Sequence, residues 1–202
     1  VTDLLTNDAI RFIKEKKETP YLLYVAYTAV HTPFDEPAKW LDRVKTSEPE
    51  RRQYVACLEH MDSSIGQIVD AIKEEGHAEN TLILFFSDNG GTNGDDSSRY
   101  PNTKTKGKIK GLNEPLRGWK GEVYEGGIRV PALAYWPGEL EPRKVGAITH
   151  VTDLMPTICG LVGYKPNKNL KWDGIDLWPI LKGKKETPKG RSLYCKGVNV
   201  LI

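Results

Sequence analysis

Apolar positions along the chain switch between a helical and a strand-like period. Leu4, Leu5, Ala9, Ile10, Phe12 and Ile13 recur at helical spacing, and Pro20 closes that run. Tyr21 to Tyr27 is then almost wholly apolar and reads as a strand buried on both faces. Tyr54, Leu58, Met61, Ile65, Ile68 and Ile72 mark one face of a long helix, with Ser47 and Glu50 as a capping box ahead of it and Gly76 as its stop. Thr81–Phe86 predicts a second buried strand and Ala132–Trp136 a third. A final helix is expected from Asp153 to Gly163, with Pro156 accommodated in its first turn.

Strands alternating with long buried helices predict an α/β domain, its sheet mainly parallel and covered by helices on both faces. Ligands of such sheets bind beyond the carboxyl ends of the strands. That rule directs attention to the residues after Tyr27, those after Phe86, and the Gly-rich stretch around Trp119. Thr92–Asn113 is polar, rich in Gly and Lys, and without periodicity, which predicts a functional or mobile loop. Its Lys104, Lys106, Lys108 and Lys110 read as a solvated series that could draw polyanions.

Composition narrows the class. With 202 residues the chain can bury one sizeable core. Lys and Arg number 29 against 27 Asp and Glu, a net charge of +2 that gives no footprint for nucleic acid. No apolar run approaches the ~20 residues of a membrane span, so a soluble chain without membrane partners is expected. Val1-Thr2-Asp3 opens directly into the first amphipathic pattern without a signal peptide, and the natural start is expected to lie upstream. Cys57, Cys159 and Cys195 form no metal knuckle; the first two lie in helical apolar patterns and read as small buried hydrophobes.

Three segments carry candidate chemistry. Ser87-Asp88-Asn89-Gly90-Gly91 follows the second strand, and Asp88 and Asn89 offer one charged and one neutral oxygen ligand. That pair suits a hard cation such as Ca²⁺ or Mg²⁺, although an Asn-Gly turn accounts for the same residues. Leu116 to Pro131 holds glycines that let backbone approach closely, but no dinucleotide pattern and no following helix. Within it Lys120 could present a point charge to an anion, or be a solvated turn lysine. His31, in His31-Thr32-Pro33, follows the first strand; His60, His77 and His150 read as surface or hydrogen-bonded structural residues.

In this order and spacing the segments resemble the sulfatase family of the alkaline-phosphatase-like superfamily. The match runs through Tyr24–Pro33, Phe86–Gly91, Leu116–Pro131 and Tyr135-Trp136-Pro137-Gly138, and continues to Asp153-Leu-Met-Pro-Thr157 and Asp173-Gly-Ile-Asp176. The resemblance implies that residues 1–202 are the C-terminal part of a sulfatase catalytic domain. It implies that Asp88 and Asn89 ligate one divalent ion, usually Ca²⁺. Lys120 would hold the sulfate group, and His31 would contact the bridging oxygen and assist its protonation. The implied partner is a small-molecule or carbohydrate sulfate ester, and the implied setting is periplasmic or secreted. Trp119 is bulky where many relatives carry a small residue.

The family's nucleophile is a formylglycine made in a Cys/Ser-x-Pro-x-Arg motif, preceded by a paired-Asp metal site. No cysteine here is followed by that pattern, and Ser47-Glu48-Pro49-Glu50-Arg51, which spells its serine form, has no paired Asp ahead of it, so the modification is expected outside this chain, together with most of the family's terminal antiparallel subdomain. The sheet edge left open is expected to favour association. Two other readings stay open: a phosphodiesterase or phosphonate monoester hydrolase on the same scaffold, and a non-catalytic remnant.

Overall fold

The computed structural model describes residues 1–16, 19–46, 48, 51–94, 111–186, 188, 190–195 and 198–201. Ser47, Glu50 and the Lys104–Lys110 series, which carry the expected capping box and basic loop, lie outside the described residues. The chain forms two compact units interleaved in sequence: Val1–Thr81 with Ser87–Val130, and Leu82–Phe86 with Pro131–Ile202.

In the first unit α1 (Thr2–Glu15) packs along α3 (Arg52–Glu74), and the short α2 (Ala38–Leu41) packs on α3 as well. The buried face of α3 is formed by Ala56, Cys57, His60, Ser64, Ala71 and Ile72. This face is rotated from the expected apolar stripe, and Leu58 is left 43% exposed. The reason is polar. His60 places Nδ1 2.7 Å from the Glu36 carboxylate and Nε2 2.9 Å from that of Asp3, while its ring stacks on Trp40 at 4.8 Å. A buried imidazole that satisfies both nitrogens ties three segments together, so this face turns inward although it is less apolar. The structural reading of His60 holds. Phe34 and Cys57 centre a small apolar cluster bordered by Ala29, Val30 and Tyr54.

Tyr21–Tyr27 departs from its expected form. It is extended but has no ladder partner among the described residues, and Leu22 and Tyr24 are 71% and 78% exposed. The alternate residues turn toward α1. Tyr21 meets Phe12 edge-on at 5.5 Å, and the Tyr27 hydroxyl lies 2.8 Å from Thr6 Oγ1. Side chains of period two thus bury one face of this segment rather than both.

In the second unit β1 (Ile83–Phe86) pairs with β2 (Ala132–Tyr135), Phe85 opposite Leu133 and Ile83 opposite Tyr135. This pair is antiparallel, in contrast to the parallel neighbours that the sequence predicts. Phe85, Leu133 and Tyr135 remain exposed on one face of the ribbon, so these strands are half-buried. The 3₁₀ turn Val151–Asp153 leads into α5 (Leu154–Leu161), followed by α6 (Trp178–Leu181) and the antiparallel pair β3 (Ser192–Cys195) and β4 (Val198–Leu201).

Asp153 organises this unit. Fully buried, its carboxylate accepts from the His150 and Ile175 N–H groups at 2.7 and 2.9 Å and from both terminal nitrogens of Arg191. Thr157 Oγ1 donates to the Asp153 carbonyl at 2.6 Å and accepts from Leu177 N–H at 2.8 Å. The Asp153–Thr157 and Asp173–Asp176 landmarks are therefore joined by hydrogen bonds that serve the fold.

Candidate functional site

The chain leaves β1 and turns at once through Ser87–Gly91. Ser87 Oγ donates to the Asn89 carbonyl at 3.0 Å, which closes the turn locally. Glycines are needed here because two backbones meet. Gly90 N–H donates to Gly127 O at 3.0 Å, and Gly126 N–H donates to Arg117 O at 2.7 Å. A Cβ on Gly126 would stand 2.2 Å from the Gly118 carbonyl oxygen. A four-residue helix, α4 (Glu125–Ile128), presents Gly126 and Gly127 to this contact. It lies inside the Gly-rich stretch, where two glycines leave apolar periodicity no sign of it, and the stretch itself is followed by β2 rather than by a helix.

Lys120 is brought to the same place by its backbone, whose N–H donates to the Gly91 carbonyl at 2.9 Å. Its side chain is exposed. Asp88 is exposed too, and its carboxylate accepts from Asn89 Nδ2. Asn89 Oδ1 is buried and has no hydrogen-bond partner. Such an orphaned oxygen is costly unless something satisfies it. An uncompensated carboxamide oxygen beside an exposed carboxylate has the chemistry of a hard-cation site. Among the described residues no group of three or more His, Cys, Asp or Glu could hold a metal ion.

His31 is exposed, and its hydrogen bonds remain in its own turn. Its backbone N–H donates to Thr28 O at 2.8 Å, and Nδ1 lies 2.7 Å from Thr32 O. Because a carbonyl only accepts, Nδ1 carries a proton and Nε2 is left to exchange one with a ligand. Hydrogen bonds thus bring the Asp88–Gly91 turn and the Lys120 segment together, whereas His31 belongs to the same unit without joining their network.

Sequence reasoning missed Asn113. Its side chain bonds to Gly91 N–H at 2.9 Å and to the carbonyls of Gly91 and Gly118, each at 3.0 Å. Nearby, Arg117 lies over the Tyr124 ring at 3.9 Å and donates to its hydroxyl at 3.0 Å, and Glu122 accepts from Trp119 N–H at 3.2 Å. Gly111 N–H donates to Thr92 O at 2.9 Å. Cys57 is buried and free, its thiol pushed up to about 12 by burial and then by the Glu36 carboxylate, which removes it as a nucleophile.

The Sulfatase family model matches residues 1–164. The uncharacterized sulfatase YdeN of Escherichia coli is 30% identical over 197 residues, covering 96% of this chain and 33% of that protein. Human steryl-sulfatase is 35% identical over 196 residues, covering 96% and 32%. The chain thus spans about a third of the length of these relatives. Among solved structures, Ps i-CgsB in complex with k-i-k-neocarrahexaose superposes with a TM-score of 0.80 at 31% identity, covering 95% of this chain and 40% of that one. PsFucS1 sulfatase from Pseudoalteromonas superposes with a TM-score of 0.75 at 28% identity, covering 98% and 37%. The alkaline-phosphatase-like α/β class is therefore the fold, spanned here in part. No helix of the described residues is long and apolar enough to cross a membrane.

Proposed function

The chain belongs to the sulfatase family, and on that premise we propose that it supplies the sulfate-holding and metal-ligating part of a sulfuric ester hydrolase. The observation that carries the reading is the hydrogen bond from Lys120 N–H to the Gly91 carbonyl, which joins the cation's segment to the Asp88–Asn89 turn. A sulfate monoester presents non-bridging oxygens that need positive charge and a leaving oxygen that needs a proton. The exposed Lys120 ammonium supplies the charge. His31, held through Nδ1, supplies the proton from Nε2. Asp88 and Asn89 would hold one divalent cation, with the unpaired Asn89 Oδ1 supporting Ca²⁺ or Mg²⁺. When bound, that ion would polarise the sulfuryl oxygens.

The proposed substrate is a sulfated carbohydrate. Its support is the likeness to a structure holding neocarrahexaose, at a TM-score of 0.80. A periplasmic or secreted setting accompanies this reading on family grounds. The test is turnover by this chain fused behind a sulfatase N-terminal segment that bears a matured Cys-x-Pro-x-Arg site. p-Nitrophenyl sulfate and sulfated oligosaccharides should be hydrolysed, with activity lost in Lys120→Ala and reduced in His31→Ala. Preferential hydrolysis of bis-p-nitrophenyl phosphate would overturn the reading in favour of a phosphodiesterase. The 202-residue chain alone should show at most residual activity, since its described residues position a sulfate but attack nothing.

A further inference from the structure

We infer that Asn113 is the positioning residue that fixes the Asp88–Asn89 turn against Lys120, a role that rests on the sulfatase reading of those three residues. Its Oδ1 accepts from Gly91 N–H at 2.9 Å while its Nδ2 donates to the Gly91 carbonyl at 3.0 Å. One side chain thus satisfies both backbone groups of a single residue, as a paired strand would. The second Nδ2 hydrogen reaches the Gly118 carbonyl at 3.0 Å, two residues before Lys120. Gly91 O also accepts from Lys120 N–H at 2.9 Å, so both of its lone pairs are used. The circuit runs from the metal-ligand turn through Asn113 to the segment of Lys120 and returns through Gly91.

Only a carboxamide fits this position. Turned over, its NH₂ would face the Gly91 N–H and its oxygen would face two carbonyls. An Asp of the same shape keeps the acceptor but has no donor, and would set negative charge against those carbonyls. The fit is close: a Cβ on Gly91 would stand 3.0 Å from Asn113 Oδ1 and 3.3 Å from Gly111 Cα. Gly118, at φ +93°, holds its carbonyl in a left-handed conformation that other residues rarely adopt. Electrostatic stabilisation of a transferring group depends on charges fixed before the reaction, and small displacements are costly. Asn113 locks the two charged segments of this site together without itself touching substrate.

The test is amide hydrogen exchange on the 202-residue chain, with α3 amides as the folding control. In Asn113→Ala the Gly91 and Lys120 amides should both exchange at least about tenfold faster. Asn113→Asp should separate them: Gly91 N–H keeps its acceptor and its protection, while the Lys120 amide exchanges at least about tenfold faster. A space-filling role predicts no change in the isosteric Asp variant, and that result would overturn the proposal. In the fused enzyme, Asn113→Asp should lower kcat about tenfold or more with KM within about threefold. An unchanged kcat despite lost protection would also overturn the positioning role. If the unsubstituted fusion fails on sulfate esters while the exchange pattern persists, the sulfatase reading falls and the clamp stands.

Discussion

The carbonyl oxygen of Gly126 occupies the space where Gly90 would carry a Cβ, only 1.7 Å from the ideal position of that carbon. The two short Gly-Gly sequences of the site are thus one contact, made backbone against backbone. Gly90→Ala should displace the Asp88–Asn89 turn and destabilise the first unit by about 3 kcal/mol, the upper part of the range for overpacking. Urea unfolding checks this; a loss within error of zero would mean that the turn moves freely.

Acid should loosen the union of α1 and α3. The hydrogen bond from His60 holds the Asp3 carboxyl below its ordinary value of 3.8. A depressed carboxyl stabilises the folded state above its unfolded pKa, and that contribution disappears as pH falls through the lower folded value. Stability should therefore fall more steeply below about pH 4 in the unsubstituted chain than in Asp3→Asn. The effect should be small, because the Asp3 side chain is 58% exposed. Parallel acid limbs in urea melts would contradict it.

Cys57 should resist thiol reagents. With its thiol pushed up to about 12, almost none is thiolate at pH 8. Alkylation followed by peptide mass spectrometry should find Cys57 unlabelled in the folded chain and labelled after denaturation. Prompt labelling under native conditions would show that the Phe34–Cys57 cluster opens readily.

Calcium should bind this chain weakly and through Asp88. Asp88 and Asn89 would offer two oxygen ligands where Ca²⁺ takes about 6–8, so a dissociation constant of about 10⁻⁴ M or weaker is expected. Calorimetry should show that binding disappear in Asp88→Ala. Submicromolar affinity would reveal ligands beyond Asp88 and Asn89.

Arg191→Ala should be the most damaging change in the second unit. It leaves the fully buried Asp153 carboxylate with its backbone donors but without a counter-charge. Breaking such a pair costs about 3–5 kcal/mol. Urea unfolding of Arg191→Ala and Asp153→Asn measures this, and a change below about 1 kcal/mol in the first would show that the ion pair is solvated.

The elements themselves were legible. Regular periodicity located α1, α3, β1, β2 and α5, and the glycine and carboxamide positions located the turn that carries Asp88. Side-chain partnership was not legible, because it is set in space. His60 read only as a surface or hydrogen-bonded residue beside the apolar stripe, yet its two carboxylate partners determine which face of α3 is buried. Asn113 looked like the last polar residue of a loop, yet it pairs with Gly91 far back in the chain. Strand direction was also hidden: an apolar run such as Ala132–Trp136 reads the same whether its neighbour is parallel or antiparallel. Tyr21–Tyr27 misled for a related reason, since a run of apolar residues does not reveal that only alternate ones are covered.

The interleaving of the two units constrains how the molecule is made. β1 leaves the ribosome before Ser87–Val130, yet its partner β2 begins at Ala132. The first half of the ribbon must therefore wait, unpaired, while the Gly-rich segment and Lys120 are synthesised. Pairing closes a long loop, which is entropically slow and leaves an apolar strand open to other chains in the meantime. The interleaving also means that no single cut in the gene separates the units, because either side of it would carry residues that the other unit needs. A version with β1 transposed to stand directly before β2, and a short loop in its former place, would test whether this delay limits the yield of folded protein.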